Sequence, residues 1–162
     1  MTDTGTERAV RDEILRFIAR PVYPYLVTTT TGGAPYLRPV ICVNDGFQIR
    51  MITRLLSRKV QHIRNNPLVS IFWADNDGAS QRSVMVQARV SILTDPAEID
   101  AFAAAYRRKN PARTRPIPRG DDGLARAILL AAPTLVRADG FAGFRPVILR
   151  EADLSAPLAA AQ

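Results

Sequence analysis

Three short stretches hold the side chains best suited to chemistry: Arg38-Pro39-Val40, Ile52-Thr53 and Ser57-Arg58-Lys59. The last opens a short predicted helix. There the first backbone N–H groups lack intrahelical acceptors and the helix dipole is positive. A hydroxyl, a guanidinium and an ammonium converging on such a point form the local recipe for holding a phosphate monoester. The same residues also read as a plain N-cap, Ser57, followed by two solvated cations. The local pattern alone does not separate these readings.

Other familiar chemistry is missing. No G-x-S-x-G elbow, no Walker phosphate loop and no G-x-G-x-x-G follows a predicted strand. The chain has one histidine, His62, and one cysteine, Cys42, so no His-based metal triad, multi-thiolate site or internal disulfide forms within it. No metal site is expected. His62, mid-helix between Gln61 and Ile63, reads as a solvated surface residue, and Cys42, between Ile41 and Val43, as a packed one. Trp73 reads as core or dimer contact. No side chain stands out as catalytic acid or base, so an enzyme built this way needs a cofactor to carry the reaction.

The elements that must position these residues follow from periodicity. Residues 4–20 read as a helix with capping-box spacing at Thr4 and Glu7 and an apolar face of Val10, Ile14, Phe17 and Ile18. Tyr25–Thr30, Pro35–Val43 and Phe47–Thr53 read as strands. Turns at Thr31-Gly32-Gly33-Ala34 and Asn44-Asp45-Gly46 predict that the three form a meander. The short helix spans Ser57–Arg64. Leu68–Ala74 and Arg82–Leu93 are strands, joined by a polar turn with Asp77-Gly78. Asp95-Pro96-Ala97-Glu98 starts a further helix. An Arg- and Pro-rich loop runs over about residues 107–123. Leu124–Ala132 reads as a short helix, Thr134–Ala138 and Phe144–Arg150 as final strands, and the Ala-rich tail after Leu154 as frayed. The pattern predicts one mainly β domain over residues 1–162, a barrel or sandwich with accessory helices.

Composition narrows the classes further. The chain has 162 residues, 47% hydrophobic and 23% charged, enough for a core and a polar coat. Its longest apolar run, Ile128–Val136, is far short of the roughly 20 residues of a membrane span. The N-terminus has no signal-type apolar stretch, so a cytoplasmic protein is expected. The net charge is +7, with 20 Arg and 2 Lys against 15 acids. Six cations, Arg107, Arg108, Lys109, Arg113, Arg115 and Arg119, crowd one region with no acid between them. That stretch reads either as the cationic end of a helix plus solvated loop, or as a loop closing over an anionic substrate. The cations are not interleaved with aromatics and no recognition motif occurs, so neither nucleic acid nor a membrane is an expected partner.

The order of the pieces adds a resemblance. YLVTTTTGGAPYLRPV, a strand pair, ITRLLSRKVQHIRNNPLVSIFWAD and SVMVQARVSILTDP together resemble the pyridoxamine 5′-phosphate oxidase-like FMN-binding split-barrel proteins, in particular their general-stress-protein branch. The likeness covers about residues 10–100. It implies a six-stranded antiparallel split β-barrel that binds FMN at a homodimer interface. Arg38 and the backbone of Pro39, Val40 and Ile41 would line the flavin ring and phosphate. Ile52 and Thr53 would contact the flavin, and Arg58 and Lys59, with Ser57 beside them, would bind the phosphate. Ser83 falls where the oxidase proper carries a flavin-contacting Gln, a departure; Gln87 lies on the same strand face. The oxidase's C-terminal Trp is absent, and Phe144-Arg145-Pro146-Val147 only distantly echoes its substrate element, so oxidation of pyridoxamine phosphate is not expected. The resulting expectation is an FMN-dependent oxidoreductase acting on a small molecule. A non-enzymatic flavin- or deazaflavin-binding or sensing protein is the alternative.

Overall fold

The computed structural model describes residues 4–75, 80–120 and 122–154. The Asp77-Gly78 turn and the tail beyond Leu154 lie outside the described residues. Helix α1 spans Thr4–Ile18. It buries Ile14 and Ile18 completely, and Phe17 meets Phe141 edge-on at 5.2 Å. Strands β1 (Tyr25–Thr29), β2 (Pro35–Pro39), β3 (Cys42–Asp45) and β4 (Gln48–Arg54) follow, then α2 (Arg58–Asn65). Next come β5 (Leu68–Ala74), β6 (Ser83–Leu93), α3 (Pro96–Lys109), β7 (Arg126–Ala142), β8 (Arg145–Arg150) and the short α4 (Glu151–Leu154). The strands pair antiparallel in the order β2-β1-β5-β6-β7-β4-β3, with β8 on β7. The architecture is mainly β with accessory helices, as the sequence predicts, with eight strands among the described residues where six were expected. No helix among them is long and apolar enough to cross a membrane.

Three expectations need correction. The strand expected over 35–43 is broken after Pro39, which has no N–H to carry a ladder onward; Val40 N–H instead bonds the Pro24 carbonyl at 2.9 Å. The meander therefore does not form. The hairpins β1–β2 and β3–β4 sit at opposite ends of the strand order. The helix expected over Leu124–Ala132 is the first half of β7. Ala127, Ile128, Leu129 and Ala131 are fully buried there, between β4 on one side and β6 on the other. A short apolar run fits a buried strand and a buried helix equally, and the two neighbouring ladders decide the matter.

Two apolar clusters hold the sheet. The larger lies under α1 and α2 and includes Leu26, Ile49, Ile71, Trp73 and Val86. The smaller lies under α3: Val43, Ile99, Phe102, Ala103, Tyr106, Ile117 and Ile128, with Ile41 and Ile52 packed against it. Helix α3 starts as its sequence dictates, Asp95 accepting from Ala97 N–H at 2.9 Å with Pro96 in the first turn.

Near its end β7 is irregular between Ala138 and Ala142. Gly140 has φ +82°, and a Cβ there would stand 3.1 Å from the Gln81 carbonyl oxygen. Gly143 has φ +66° with open space around it. Gly140→Ala should therefore cost more than Gly143→Ala, which carries only the left-handed backbone penalty of about 1–2 kcal/mol. Urea unfolding of the two variants checks the order; equal losses would mean that the close approach does not matter.

Candidate functional site

The β1–β2 hairpin and α2 build the site. The turn closes with Thr30 N–H on the Ala34 carbonyl and Ala34 N–H on Thr30 Oγ1. Leu26 pairs with Arg38 and Thr28 with Tyr36, so alternation puts Thr28, Tyr36 and Arg38 on one face. Helix α2 docks on that face by burying Val60 and Ile63. Lys59 and His62, one turn apart, share a helix face.

The contacts centre on Thr28, which is buried. Arg38 Nη2 donates to Thr28 Oγ1 at 3.0 Å, and Thr28 Oγ1 lies 2.9 Å from His62 Nδ1. The Thr28 hydroxyl, which has one proton and two lone pairs, thus bridges the guanidinium and the imidazole. The Arg38 guanidinium stands 4.4 Å from the Tyr36 ring centre, and Tyr36 meets His62 edge-on at 5.8 Å. Arg38 Nη1 is buried with no hydrogen-bond partner. An unsatisfied buried donor is costly and rare, and a charged one more so.

Lys59 adds a second cation. Burial, and then the charge of Arg38, push its ammonium below the ordinary 10.5. Burial likewise lowers Arg38, with Tyr36 acting the other way. Neither cation has a carboxylate partner among the described residues. At the head of α2 the Ser57 side chain makes no cap bond; its hydroxyl lies 3.1 Å from Thr53 Oγ1. Arg58 is exposed on the first turn. Two half-buried cations, an imidazole and an uncapped helix start are the chemistry of an anion site, and Arg38 Nη1 is a donor that a phosphate oxygen would satisfy.

The residues predicted from sequence divide into three sets. Lys59 lies close enough to Arg38 to feel its charge, and the Thr53 and Ser57 hydroxyls touch each other. Pro39 is exposed and Val40 buried at the end of β2, while Ile41 and Ile52 pack into the cluster under α3. Ser83 is not brought to Arg38 within the chain: it pairs with Ala74 and Asp139, three strands from β2. Thr28 and His62 were missed. The signal for His62 was its position three after Lys59, on the face that must meet β1. Trp73 is core, and Cys42 is buried, its thiol pushed up by burial against the opposing pull of Lys109. Among the described residues no group of three or more His, Cys, Asp or Glu gathers to hold a metal.

Residues 10–138 match the family model described as pyridoxamine 5′-phosphate oxidase. The chain belongs to the pyridoxamine 5′-phosphate oxidase-like family. No curated protein matches it. Among solved structures of similar fold, the conserved hypothetical protein Rv2991 from Mycobacterium tuberculosis is 21% identical, with 81% of this chain and 84% of that chain covered and a TM-score of 0.69. General Stress Protein 26 from Bacillus anthracis str. Sterne is 19% identical, with 87% and 98% covered and a TM-score of 0.67. An F420 reductase is 25% identical, with 75% and 93% covered and a TM-score of 0.62.

Crowded cations predict a trade between stability and binding. Replacing Lys59 by Met should stabilise the ligand-free protein at neutral pH, because it removes a partly buried charge facing Arg38. The lowered pKa means that the folded protein sheds the Lys59 proton before the unfolded chain does. The parent therefore gains stability as pH rises from the depressed value towards 10.5. Urea unfolding across this range should show the advantage of the Met variant shrinking as pH rises. A Met variant less stable at pH 7 would show that Lys59 is held by a favourable contact instead.

Proposed function

We propose that the protein is an FMN-binding oxidoreductase of the pyridoxamine 5′-phosphate oxidase-like family, acting on a small-molecule substrate. The observation that carries this reading is the buried, unpartnered Arg38 Nη1 beside Lys59 and the uncapped start of α2. Arg38, Ser57, Arg58 and Lys59 would hold the phosphate. His62, oriented through Thr28, would offer Nε2–H to the same anion. The backbone of Pro39, Val40 and Ile41, with Ile52 and Thr53, would line the ring system, kept in place by the cluster under α3. When bound, the flavin supplies the electron transfer. The chain's own part is to bind it, orient it and exclude water.

The reading includes a homodimer. One face of the sheet carries Tyr25 and Val27 on β1, Pro39 and Leu37 opposite them on β2, and Phe72 and Leu68 on β5. Tyr25, Leu37, Leu68 and Phe72 are all exposed large hydrophobics. A contiguous exposed apolar patch marks an interaction surface. Ser83, Met85 and Gln87 alternate onto the same face along β6. A second copy seated there would cover this face, Ser83 included.

A second reading, deazaflavin binding, is favoured by the F420 reductase at 25% identity. Both cofactors present a phosphate-bearing side chain to the protein. An absorption spectrum after incubation with each cofactor separates them. A binding or sensing protein without turnover is separated by assay with a reduced nicotinamide.

Reconstitution with FMN should give flavin bands, and Arg58→Ala with Lys59→Ala should weaken binding between about tenfold and several hundredfold, given roughly 1.5–3 kcal/mol for each charge-assisted bond less solvent screening. FMN held as tightly by the double variant as by the parent sinks the assignment. Sedimentation of the FMN complex should give a dimer; a stable monomer with bound flavin removes the proposed role of the apolar face.

A further inference from the structure

A second cationic feature lies outside that site. A cavity of about 350 Å³ opens between α3 and the loop over residues 110–119. Its apolar floor is Ala103, Tyr106 and Ile117, all buried in the cluster under α3. Its walls carry Arg107, Arg113, Arg115 and Arg119, with Thr114 and Asn110 between them, and no carboxylate is among the described lining residues. The volume is that of a small-molecule pocket.

Of the six cations in this region, the structure accounts for three by other means. Lys109 Nζ reaches the Cys42 carbonyl at 3.3 Å. Arg108 lines a separate cavity with Glu98 and Asp45. Arg119 pairs with Asp100 at 3.3 Å. Arg107, Arg113 and Arg115 are left facing the 350 Å³ cavity. Arg113 is fixed there by neutral groups only: Nη1 donates to the hydroxyls of Tyr23 at 3.0 Å and Tyr106 at 3.2 Å, and Nε to the Arg115 carbonyl at 3.2 Å. Burial, with Tyr23 next to it, pushes the Tyr106 phenol up, so the phenol stays neutral beside Arg113. The guanidinium is thus positioned with no carboxylate partner among the described residues.

The loop is also preorganised. Ile117 anchors it in the core, and Pro111, Pro116 and Pro118 restrict its backbone. A rigid cationic wall over an apolar floor costs little ordering on binding. Arginine forks match phosphate oxygens in pairs. We propose that this cavity is a binding site for a phosphorylated small molecule whose apolar or planar body rests on Tyr106 and Ile117. The proposal does not depend on the flavin reading, because none of these residues belongs to the Arg38–Lys59 cluster.

The test is calorimetric titration with inorganic pyrophosphate in the Arg58→Ala/Lys59→Ala background, which weakens the other anion site. One-to-one binding is expected. Adding Arg107→Gln or Arg115→Gln, both exposed positions, should weaken it by about tenfold each. Arg145→Gln with Arg150→Gln, a distant pair of equal charge, should leave it nearly unchanged, and thermal melting checks that all variants fold. Absence of pyrophosphate binding overturns the proposal, as does an equal loss in the distant pair, which would mean that net charge alone attracts the anion. Repeating the titration on the FMN-loaded parent identifies the source of the phosphate. Unchanged affinity supports a separate phosphorylated molecule, and competition supports a phosphate carried by the flavin cofactor itself.

Discussion

Two cations held partly out of water, Arg38 and Lys59, feel each other's charge with no carboxylate partner among the described residues. Water is the natural partner of such charges, and withdrawing them from it is unfavourable unless another group replaces that solvation. Everything nearby serves to hold this arrangement. The β1–β2 hairpin sets Arg38 beside Thr28, and Thr28 links the guanidinium to His62. Val60 and Ile63, buried beneath α2, keep Lys59 and the uncapped helix start against the hairpin. The strain is local, and the apolar clusters elsewhere carry the stability that permits it.

The two clusters divide the labour. The larger, under α1 and α2, fixes the hairpin and the phosphate end. The smaller, under α3, backs Ile41 and Ile52 on one side and roofs itself with Ile117 of the Arg-rich loop on the other. The strand break after Pro39 is what lets one chain segment serve both. β2 ends beside Pro24, and β3 begins at Cys42 on the far end of the sheet, so Val40 and Ile41 bridge the larger cluster and the smaller one. A continuous strand over 35–43 could not do this.

Local signals were legible wherever chemistry is local. The turns at Gly33 and Gly46 both sit at positive φ, Asp95 caps its helix, and the alternation along β6 matches its burial. Partnership between distant segments was not legible. The apolar run in β7 reads as helix until two ladders claim it, and two hairpins with ordinary turns look like a meander until Pro39 interrupts the ladder. The site shows the same division. Ser57-Arg58-Lys59 was readable as an anion site or as a solvated cap. His62 shared a helix face with Lys59, but nothing local showed that its partner is Thr28, 34 positions away. Ser83 remains apart from the cluster in one chain, a fact that no local pattern could express.

The central claim is that Arg38, Lys59 and the start of α2 form a prebuilt cradle for a phosphate monoester. Phosphorus NMR of the FMN complex tests it most directly, since it reads the phosphate itself. A free monoester takes up its second proton near about pH 6. Surrounded by these cations, the bound dianion should resist protonation, and its resonance should hold the dianion position from about pH 8 down to about pH 5. A bound phosphate that titrates near pH 6, as it does in water, would contradict the account.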